Sequence, residues 1–459
     1  MQGMVPFVGL IGVDFEELTG LSKFTIELIT FPIFSAFAGV ITNWTGVWML
    51  FAPLHFAGFR CPGAKTVYAF LPRKLQVLPI WAPNPNGEGM LLGFQGFIPA
   101  RAERMASICV DKGLSRLGSV RDFMQELDPV QIAETFALHA IPELRNMTDE
   151  VMRREHPELW AQLPQQFKEV VYQRVEQRAP EIANHAMMAI EEHVDDLIDI
   201  KLLAVAKMRE HPEILKNIIY DLGSKELKMM VWIGLWMGFP FGLLLALVVH
   251  FSHHIPVLSL LPSWLIILSG ASLIGIVVNI IAIKMVFEPA DPAPRWRYLW
   301  GQAAFAKRQH EAAASFGHSL AYEIITMPNI INDLLYGPRS DKTRVIVEKI
   351  MMPEVDAIVG PARAVVRAAV GGTEFKAIRA GTAGAALDFA PRILEDVDFT
   401  QRQAEKIDEF CTTKLRELPP EEFMEMLYSA VEQDAWLLYA HGGLLGVLVG
   451  VLHLIIFGA

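Results

Sequence analysis

The sequence predicts an all-α integral membrane protein with four transmembrane helices in two parallel, pseudo-symmetric repeats, each bracketing a long helical cytoplasmic domain. Composition is the first reason. Of the 459 residues 52% are apolar and 20% are charged, a mixture typical of membrane helices joined to sizeable water-exposed regions. The second reason is that four apolar runs are each long enough to cross a hydrocarbon core of about 30 Å. The third is that these runs resemble one another in pairs.

In chain order the sequence is predicted to divide into eight segments. These are an outward-facing leader (1–27), a first span (28–54), a first helical cytoplasmic domain (55–228) that begins with an insertion rich in proline and aromatic residues (54–99), a second span (229–250), an outward hairpin (251–262), a third span (263–287), a second helical cytoplasmic domain (288–434) and a fourth span (435–459). The leader is acidic ahead of its apolar run, the wrong order for a cleaved signal peptide, so we expect the first span to stay in the protein.

The first and third spans share one pattern. Residues 35–53 recur 236 positions later as residues 271–289, and each copy ends in Phe-x-Pro. Among the matched positions are Gly39 with Gly275 and Asn43 with Asn279. A side-chain amide in hydrocarbon needs a hydrogen-bond partner. We therefore interpret the two asparagines as groups that form interhelical hydrogen bonds between the two halves, with a polar lining for a permeation path as the alternative.

The second and fourth spans share a different pattern, in which glycine occurs at every fourth position. The triplets lie 208 positions apart and comprise Gly234, Gly238 and Gly242 in the second span and Gly442, Gly446 and Gly450 in the fourth. Such a stripe lets another helix approach closely. The first and third spans carry shorter small-residue pairs that include Gly39 and Gly275. The matched triplets favour a duplication over the general abundance of glycine in membrane helices.

The regions between the spans also match, at an offset of 207 that brings Arg101 onto Arg308. The first half therefore carries an insertion, and the repeating unit is a span, a hydrophilic domain and a second span. Because each unit has an even number of spans, the two copies are predicted to be parallel. Lysine and arginine flank the spans on the domain side, whereas the other side carries only Lys23. The positive-inside rule therefore places both domains in the cytoplasm.

The hydrophilic regions are predicted to be helical. Residues 167–205 carry apolar side chains at helical spacing, including Val171, Val175 and Ile182, with charges between them. Residues 365–390 are rich in alanine and glycine, which indicates closely packed helices. The insertion 54–99 has the composition of a segment at the lipid headgroups, and a loop packed on the first domain is an equal alternative.

The motif Gly-x-x-x-Asn-x-x-Gly/Ala-x-x-Met-x-Phe-x-Pro occurs twice, and the first copy continues into Gly-Phe-Ile-Pro at 96–99 and a basic helix. Its residues are Gly39, Asn43, Gly46, Met49, Phe51 and Pro53 in the first copy and Gly275, Asn279, Ala282, Met285, Phe287 and Pro289 in the second. This combination resembles the bacterial domain-of-unknown-function family number 445 over most of the chain. The resemblance implies a bacterial inner-membrane protein with membrane segments bracketing long helical domains, and it carries no assigned activity or catalytic residue.

The chain departs from this pattern at three points. Trp48 stands where the second copy has the basic Lys284. The second copy has Val278 where the first has Thr42, and it lacks the Gly-x-x-Pro that follows the first motif. Whatever the family does through these groups would rest on the first half alone.

Other polar patterns are weak candidates for a site. His250, His253 and His254 have the spacing of a metal-binding helix face, but an interfacial position explains them better because no further ligand is nearby. The acidic patch at 191–196 is best interpreted as a solvated helix face. Residues 58–66 depart from phosphate-loop spacing and follow no strand. Three widely separated cysteines predict neither a disulfide framework nor a zinc site.

Two functional hypotheses follow, and a third is weaker. The first is a non-enzymatic scaffold or tether in the inner membrane, and the alternative is a carrier or conduit for a lipid or other amphiphile. A metal-dependent enzyme is the weakest because no nucleophile–base or metal-ligand set emerges. Expected partners are the bilayer, such an amphiphile and, as an open option, further copies of the chain. No cofactor is expected, and the net charge of −11 argues against nucleic acid.

Overall fold

The computed structural model describes residues 18–76, 78–84, 89–114, 117–359, 372–432 and 434–458. Most of the predicted leader, residues 85–88 of the insertion and residues 360–371 of the alanine- and glycine-rich stretch lie outside the described residues. Nearly all described segments are helical. In chain order the α-helices are α1 Lys23–Phe51, α2 Ala64–Phe70, α3 Arg73–Gln76, α4 Phe97–Ala100, α5 Ala102–Cys109, α6 Val120–Glu126, α7 Pro129–Ala140, α8 Leu144–Glu155, α9 Pro157–Gln162, α10 Gln165–Glu192, α11 Val194–Leu197, α12 Ile200–Glu210, α13 Pro212–Phe251, α14 Ser263–Phe287, α15 Ala304–Lys307, α16 Gln309–Ser319, α17 Met327–Tyr336, α18 Ser340–Val359, α19 Gly372–Phe389, α20 Val397–Glu417, α21 Pro420–Glu432 and α22 Ala435–Phe457.

Short helical turns of other types join these helices. The π-helical turns are Val110–Leu114 and Leu320–Ile324. The 3-10 turns are Ile141–Glu143, Ser252–His254, Leu258–Leu260, Pro294–Trp296 and Ala390–Glu395. The predicted hairpin between the second and third spans thus contains two 3-10 turns.

Within the described residues four helices are long and apolar enough to cross a membrane, which confirms the predicted number. They are α1, α13, α14 and α22. Two of them end for the same physical reason. Ala52 after α1 and Glu288 after α14 are extended, as expected of a residue that precedes proline, and the Ala52–Pro53 and Glu288–Pro289 bonds are cis.

The limits of two spans differ from the prediction. Helix α1 begins at Lys23 rather than at residue 28, because the Ser22 side chain accepts a hydrogen bond from the Thr25 backbone N–H and caps the helix earlier. Helix α13 begins at Pro212, well before the predicted residue 229, and is 40 residues long. Proline suits the first position of a helix, and the charged residues after it end the apolar run without ending the helix.

The chain forms two compact units, and their composition differs from the predicted pair of hydrophilic domains. One, here the membrane unit, comprises Met1–Cys109, Met208–Ala312 and Leu418–Ala459. The other, the helical unit, combines Val110–Lys207 with Ala313–Glu417. The hydrophilic stretches of both halves therefore build one unit together. Helical periodicity shows which face of a helix is apolar, but it does not identify the helix that covers that face.

The insertion contains the described strands, which the all-α prediction missed. They are β1 Ala57–Arg60, β2 Trp81–Pro83 and β3 Met90–Phe94, and they form an antiparallel sheet in the order β1-β3-β2. Ala57 is opposite Phe94, and Trp81 is opposite Leu92. Strands this short, with Gly and Pro among them, carry too little alternation to be recognised from sequence.

The helical unit packs α10 against α7 and α18, and α18 against α19. Small residues make the α7–α10 contact close, because Ala133, Ala137 and Ala183 are all buried there. A second cluster joins Val347, Met351 and Ala383. The helices contact one another at these two clusters, but they also leave space between them.

Candidate functional site

The glycine stripes lie at two helix contacts in the membrane unit. A Cβ atom added to Gly39 of α1 would overlap the carbonyl of Gly234 in α13, and one added to Gly275 of α14 would overlap the carbonyl of Gly442 in α22. The remaining stripe residues lie against the same two helices. Gly238 and Gly242 face α1, whereas Gly446 and Gly450 face α14. Only residues without a side chain allow backbones to approach this closely.

The two intramembrane asparagines make equivalent hydrogen bonds within these helix pairs. Asn43 donates through Nδ2 to the carbonyl of Met230, and Asn279 donates to the carbonyl of Leu438. Each bond therefore joins the two spans of one half, rather than the two halves as the sequence analysis expected. Both side chains are buried. This arrangement gives each amide nitrogen a partner in the adjacent span, whereas Oδ1 of Asn43 is buried without a hydrogen-bond partner among the described residues.

The two Phe-x-Pro ends lead into matching turns, although the second lacks the Gly-x-x-Pro of the first. Gln95 donates to the carbonyl of Leu54 at 2.8 Å, and Gln302 donates to the carbonyl of Ala290 at 2.8 Å. Neither glutamine belongs to a motif predicted from sequence. Because both turns are held by a side-chain amide, the missing glycine and proline do not change how the chain leaves the span.

Arginines at the start of the hydrophilic regions pair with carboxylates at the foot of the other half's second span. Arg308 donates to the buried Glu226, which lies within α13 just before the predicted second span (229–250). Arg101 forms an ion pair with Asp434, which immediately precedes α22. Both carboxylates border an apolar cavity of about 80 Å³. The pairs cross between the halves. The sequence offset shows that the two arginines are equivalent, but it does not indicate their acidic partners.

Two histidines of α22 lie against threonines of α1. His441 Nε2 is 3.0 Å from Thr45 Oγ1, and His453 Nε2 is 3.3 Å from Thr30 Oγ1. His453 also stacks on Phe31, with ring centroids 4.2 Å apart. Neither histidine was among the residues predicted from sequence, although an ionisable residue within a span is a recognised signal of function.

The polar clusters that the sequence offered as weak candidates for a site make ordinary contacts. His250 packs on Phe24 with ring centroids 4.0 Å apart. In the acidic patch, His193 Nδ1 is 3.0 Å from the carbonyl oxygen of Ala189, and Asp196 Oδ1 is 3.8 Å from Lys342 Nζ. Over the described ranges, no group of three or more His, Cys, Asp or Glu side chains is arranged to hold a metal ion.

The helical unit contains two adjacent apolar cavities. Cavity A has a volume of about 140 Å³ and cavity B of about 170 Å³. Both linings include the same five residues, which are Phe136, Ile182, Ala183, Met351 and Ala386. Each cavity is about as large as an engineered apolar cavity of about 150 Å³ that binds benzene. The α10 face predicted from sequence contributes Val171 and Val175 to cavity B.

Three hydroxyl groups interrupt these apolar linings. Thr148 and Thr382 line cavity B, and each donates to a carbonyl in its own helix, Thr148 to Leu144 at 2.7 Å and Thr382 to Ile378 at 2.8 Å. Thr343 lines cavity A, and its Oγ1 is buried without a hydrogen-bond partner among the described residues. This oxygen is enclosed in the wall and is not open to the space of the cavity.

A buried ion cluster joins α10 and α18 beside the cavities. Glu354 is 6% exposed, and it accepts hydrogen bonds from Arg178 at 2.8 Å and pairs with His185 Nδ1 at 2.9 Å. Burial of Glu354 opposes ionisation, but the bonds from Arg178 and His185 outweigh it and lower the pKa of its carboxyl. The neighbouring Val355 lines cavity B, so the cluster ties together two helices that form its wall.

Comparisons with protein-family models, curated proteins and solved structures find no match for this chain. The resemblance to family 445 therefore stays an expectation drawn from the motifs.

Proposed function

We propose that this protein is a membrane-anchored binding protein for a lipid or other amphiphile, which holds the apolar part of its ligand in the helical unit. The observation that carries the proposal is the pair of adjacent cavities A and B. Both are lined almost entirely by apolar side chains, and concave apolar pockets of this kind are the usual form of a site for a small apolar ligand.

The alternative that the chain is a scaffold or tether draws no support from these cavities. A scaffold needs no apolar pocket, whereas these two leave apolar side chains of α10 and α18 uncovered in their walls. An amphiphile bound there would remove this apolar surface from water.

The membrane unit serves as the anchor in this proposal. Asn43 and Asn279 make equivalent bonds, and Gly39 and Gly275 make equivalent contacts, at the offsets found in the sequence. These equivalences support a duplication of one span–domain–span unit. The resemblance to family 445 supports a bacterial inner-membrane location, and the charge bias supports a cytoplasmic helical unit.

Photolabelling tests the proposal directly. The full-length protein in lipid nanodiscs is incubated with an alkyl diazirine of about sixteen carbons that carries no polar group, then irradiated and mapped by mass spectrometry. We expect labels on the cavity walls in α10 and α18. The labelled fraction of these peptides is divided by that of the four spans, which corrects for probe dissolved in the bilayer.

A matched pair of variants shows whether the labels report the cavities. Ala386 lines both cavities, whereas Ala380 is exposed on the same helix. Ala386→Leu should abolish most of the labelling and keep or raise the thermal stability, because it fills space. Ala380→Leu makes the same chemical change outside the cavities, and this variant should be labelled to the same extent as the wild type. Wild-type protein labelled only in its spans would leave the scaffold as the better hypothesis.

A further inference from the structure

We infer that the insertion binds the headgroups of anionic phospholipids through Arg60, Lys65 and Arg73, while Phe59 and Phe70 enter the edge of the hydrocarbon. The inference goes beyond the proposed function, because it concerns an outer surface of the membrane unit and not the cavities of the helical unit. It also selects one of the two environments that the sequence left open for residues 54–99.

The first observation is that large apolar side chains of the insertion are uncovered. Phe59 on β1 is 66% exposed, and Phe70 at the end of α2 is 86% exposed. Val67 is 54% exposed, and it lies on the same side of α2 as Phe70 because the two are three residues apart. Residues 61–63 alone join β1 to α2, so these side chains belong to one small region. Burial of such side chains in an apolar phase is favourable.

The second observation is the charge around these side chains. Arg60, Lys65 and Arg73 are exposed, and Lys74 follows them in the sequence. Residues 54–84 contain no aspartate or glutamate, although the whole chain has a net charge of −11. A cluster of cations directly after a membrane span is the pattern that attracts an anionic leaflet. Apolar side chains between such cations suit a segment that lies in the membrane interface.

The third observation is that the end of a span holds this surface. Gln95, directly after β3, donates to the carbonyl of Leu54 at 2.8 Å. The ring of Phe94 stacks on Trp48, with centroids 6.3 Å apart. Trp48 lies in the last turn of α1 and is 50% exposed, as is typical of a tryptophan at the membrane interface. The surface is therefore continuous with the lipid-facing end of α1, which favours lipid over a protein partner.

The other half carries a smaller surface of the same kind at the equivalent place. After α14, Arg297 is exposed, Tyr298 is 91% exposed and Leu299 is 67% exposed. The indole of Trp300 donates to the carbonyl of Glu288 at 2.7 Å, which holds this segment at the end of its span. Cations beside uncovered apolar side chains thus follow both Phe-x-Pro ends, and the insertion enlarges a feature that the shorter segment also has.

A pair of photoactivatable lipids tests the inference with the full-length protein in nanodiscs of equal parts phosphatidylcholine and phosphatidylglycerol. Both probes carry the same diazirine near the ester end of one acyl chain, and only their headgroups differ, one being anionic phosphatidylglycerol and the other zwitterionic phosphatidylcholine. Label on residues 56–76 is mapped by mass spectrometry and divided by the label on the four spans. We expect at least threefold more label from phosphatidylglycerol at 0.1 M salt and a smaller preference at 1 M salt, because salt screens the attraction.

A matched pair of triple variants shows whether the exposed cations cause the preference. Arg60→Gln, Lys65→Gln and Arg73→Gln combined should make the two lipids label residues 56–76 equally. The control makes the same change of charge at three exposed residues of the helical unit, Arg344→Gln, Lys349→Gln and Arg402→Gln. This control should keep the preference of the wild type.

A third variant tests the apolar part of the contact. Phe70→Ser removes an uncovered ring and leaves the cations, so it should lower the label from both lipids about two- to fivefold and keep their ratio. Unchanged labelling would show that Phe70 lies outside the hydrocarbon and would overturn that part of the inference.

Three results would overturn the recognition of anionic lipid. Equal labelling of the wild type by both lipids would mean contact with the bilayer without a choice of headgroup. A preference that survives the triple variant of the insertion would assign recognition to other residues. No label from either lipid, together with cross-links between two copies of the chain, would make this surface a protein contact. Labelling of cavities A and B is independent of all three results, so the proposed function is tested separately.

Discussion

Arg308 donates a hydrogen bond to Glu226, which lies 82 residues earlier in the chain and belongs to the other half of the sequence. Glu226 is 3% exposed, so its carboxylate has lost most of its hydration, and the positive charge of this arginine compensates for that loss. In the equivalent pair the halves are exchanged: the arginine, Arg101, belongs to the first half and the carboxylate, Asp434, to the second. Each half thus supplies an arginine to the foot of the other half's second span. The two halves are joined where their spans meet their hydrophilic regions.

Removal of Arg308 should destabilise the membrane unit strongly. Arg308→Ala leaves the buried Glu226 without its charge partner, and breaking such a pair costs about 3 kcal/mol. Unfolding of the purified protein by increasing fractions of sodium dodecyl sulfate measures the change. Arg308→Ala combined with Glu226→Leu should recover most of the loss, because the unpaired charge is then gone.

Glu311 provides the control for this prediction. Glu311 also pairs with Arg308, at 2.8 Å, but it is exposed, and bonds from Arg308 and Lys225 lower the pKa of its carboxyl to about 2. Exposed pairs contribute little to stability. Glu311→Gln should therefore unfold like wild type. A loss as large as that of Arg308→Ala would show that the exposed pair matters more than the buried one.

Two glycines of α1 should respond differently to the same substitution. Gly39→Ala places a methyl group onto the backbone of Gly234, so the helices must separate, at about 1–3 kcal/mol. At Gly46 the added carbon would lie 3.7 Å from Leu438 Cδ2, an ordinary contact. Gly46→Ala should therefore be close to neutral in the same unfolding assay. Equal effects would mean that α1 and α13 do not pack through Gly39.

The two asparagines should make similar contributions to stability. Asn43 and Asn279 each donate to one backbone carbonyl of the adjacent span, and such bonds in membranes contribute about 1 kcal/mol. Asn43→Ala and Asn279→Ala should each lower the unfolding free energy by about this amount, and the double variant by about twice as much. An additive result is expected because the bonds lie in different helix pairs. A much larger loss in one variant would indicate a further role for that amide.

Acid should loosen the contact between α10 and α18. Because the pKa of Glu354 is lower in the folded protein, its ionisation stabilises the fold above the unfolded pKa of about 4.3 and stops doing so as the pH falls through the folded value. Hydrogen exchange of both helices, corrected for intrinsic rates, should therefore rise below about pH 4. Glu354→Gln should exchange faster at pH 7 and show a weaker dependence on acid. A wild-type exchange profile that is flat down to pH 3 would contradict this assignment.

Much of the membrane unit could be predicted from local sequence. The number of spans follows from apolar length, and α14 has the predicted limits, Ser263–Phe287. Helix α13 was predicted too short because only its apolar part was recognised. The asparagines and glycines were found by their repetition, but their partners were not. An offset between two patterns shows which residues are equivalent, and it carries no information on which helix lies opposite.

In the helical unit, too, the apolar residues could be predicted from the sequence but their surroundings could not. The spacing of Val171, Val175 and Ile182 predicted an apolar face on α10, and these residues line the cavities. Nothing in the spacing distinguishes an apolar face that meets another helix from one that borders empty space. That difference depends on how closely α7, α18 and α19 approach one another and α10.

The sequence by itself determined that this chain has four membrane-length helices and which of their residues are small or polar, because apolar length and glycine spacing are properties of each segment alone. Only the tertiary structure decided that Arg308 meets Glu226, that Val110–Lys207 and Ala313–Glu417 share one unit, and that Val171 and Val175 line a cavity. These features join residues far apart in the chain. Whether a buried group is paired, or a space filled, depends on what the rest of the fold brings beside it.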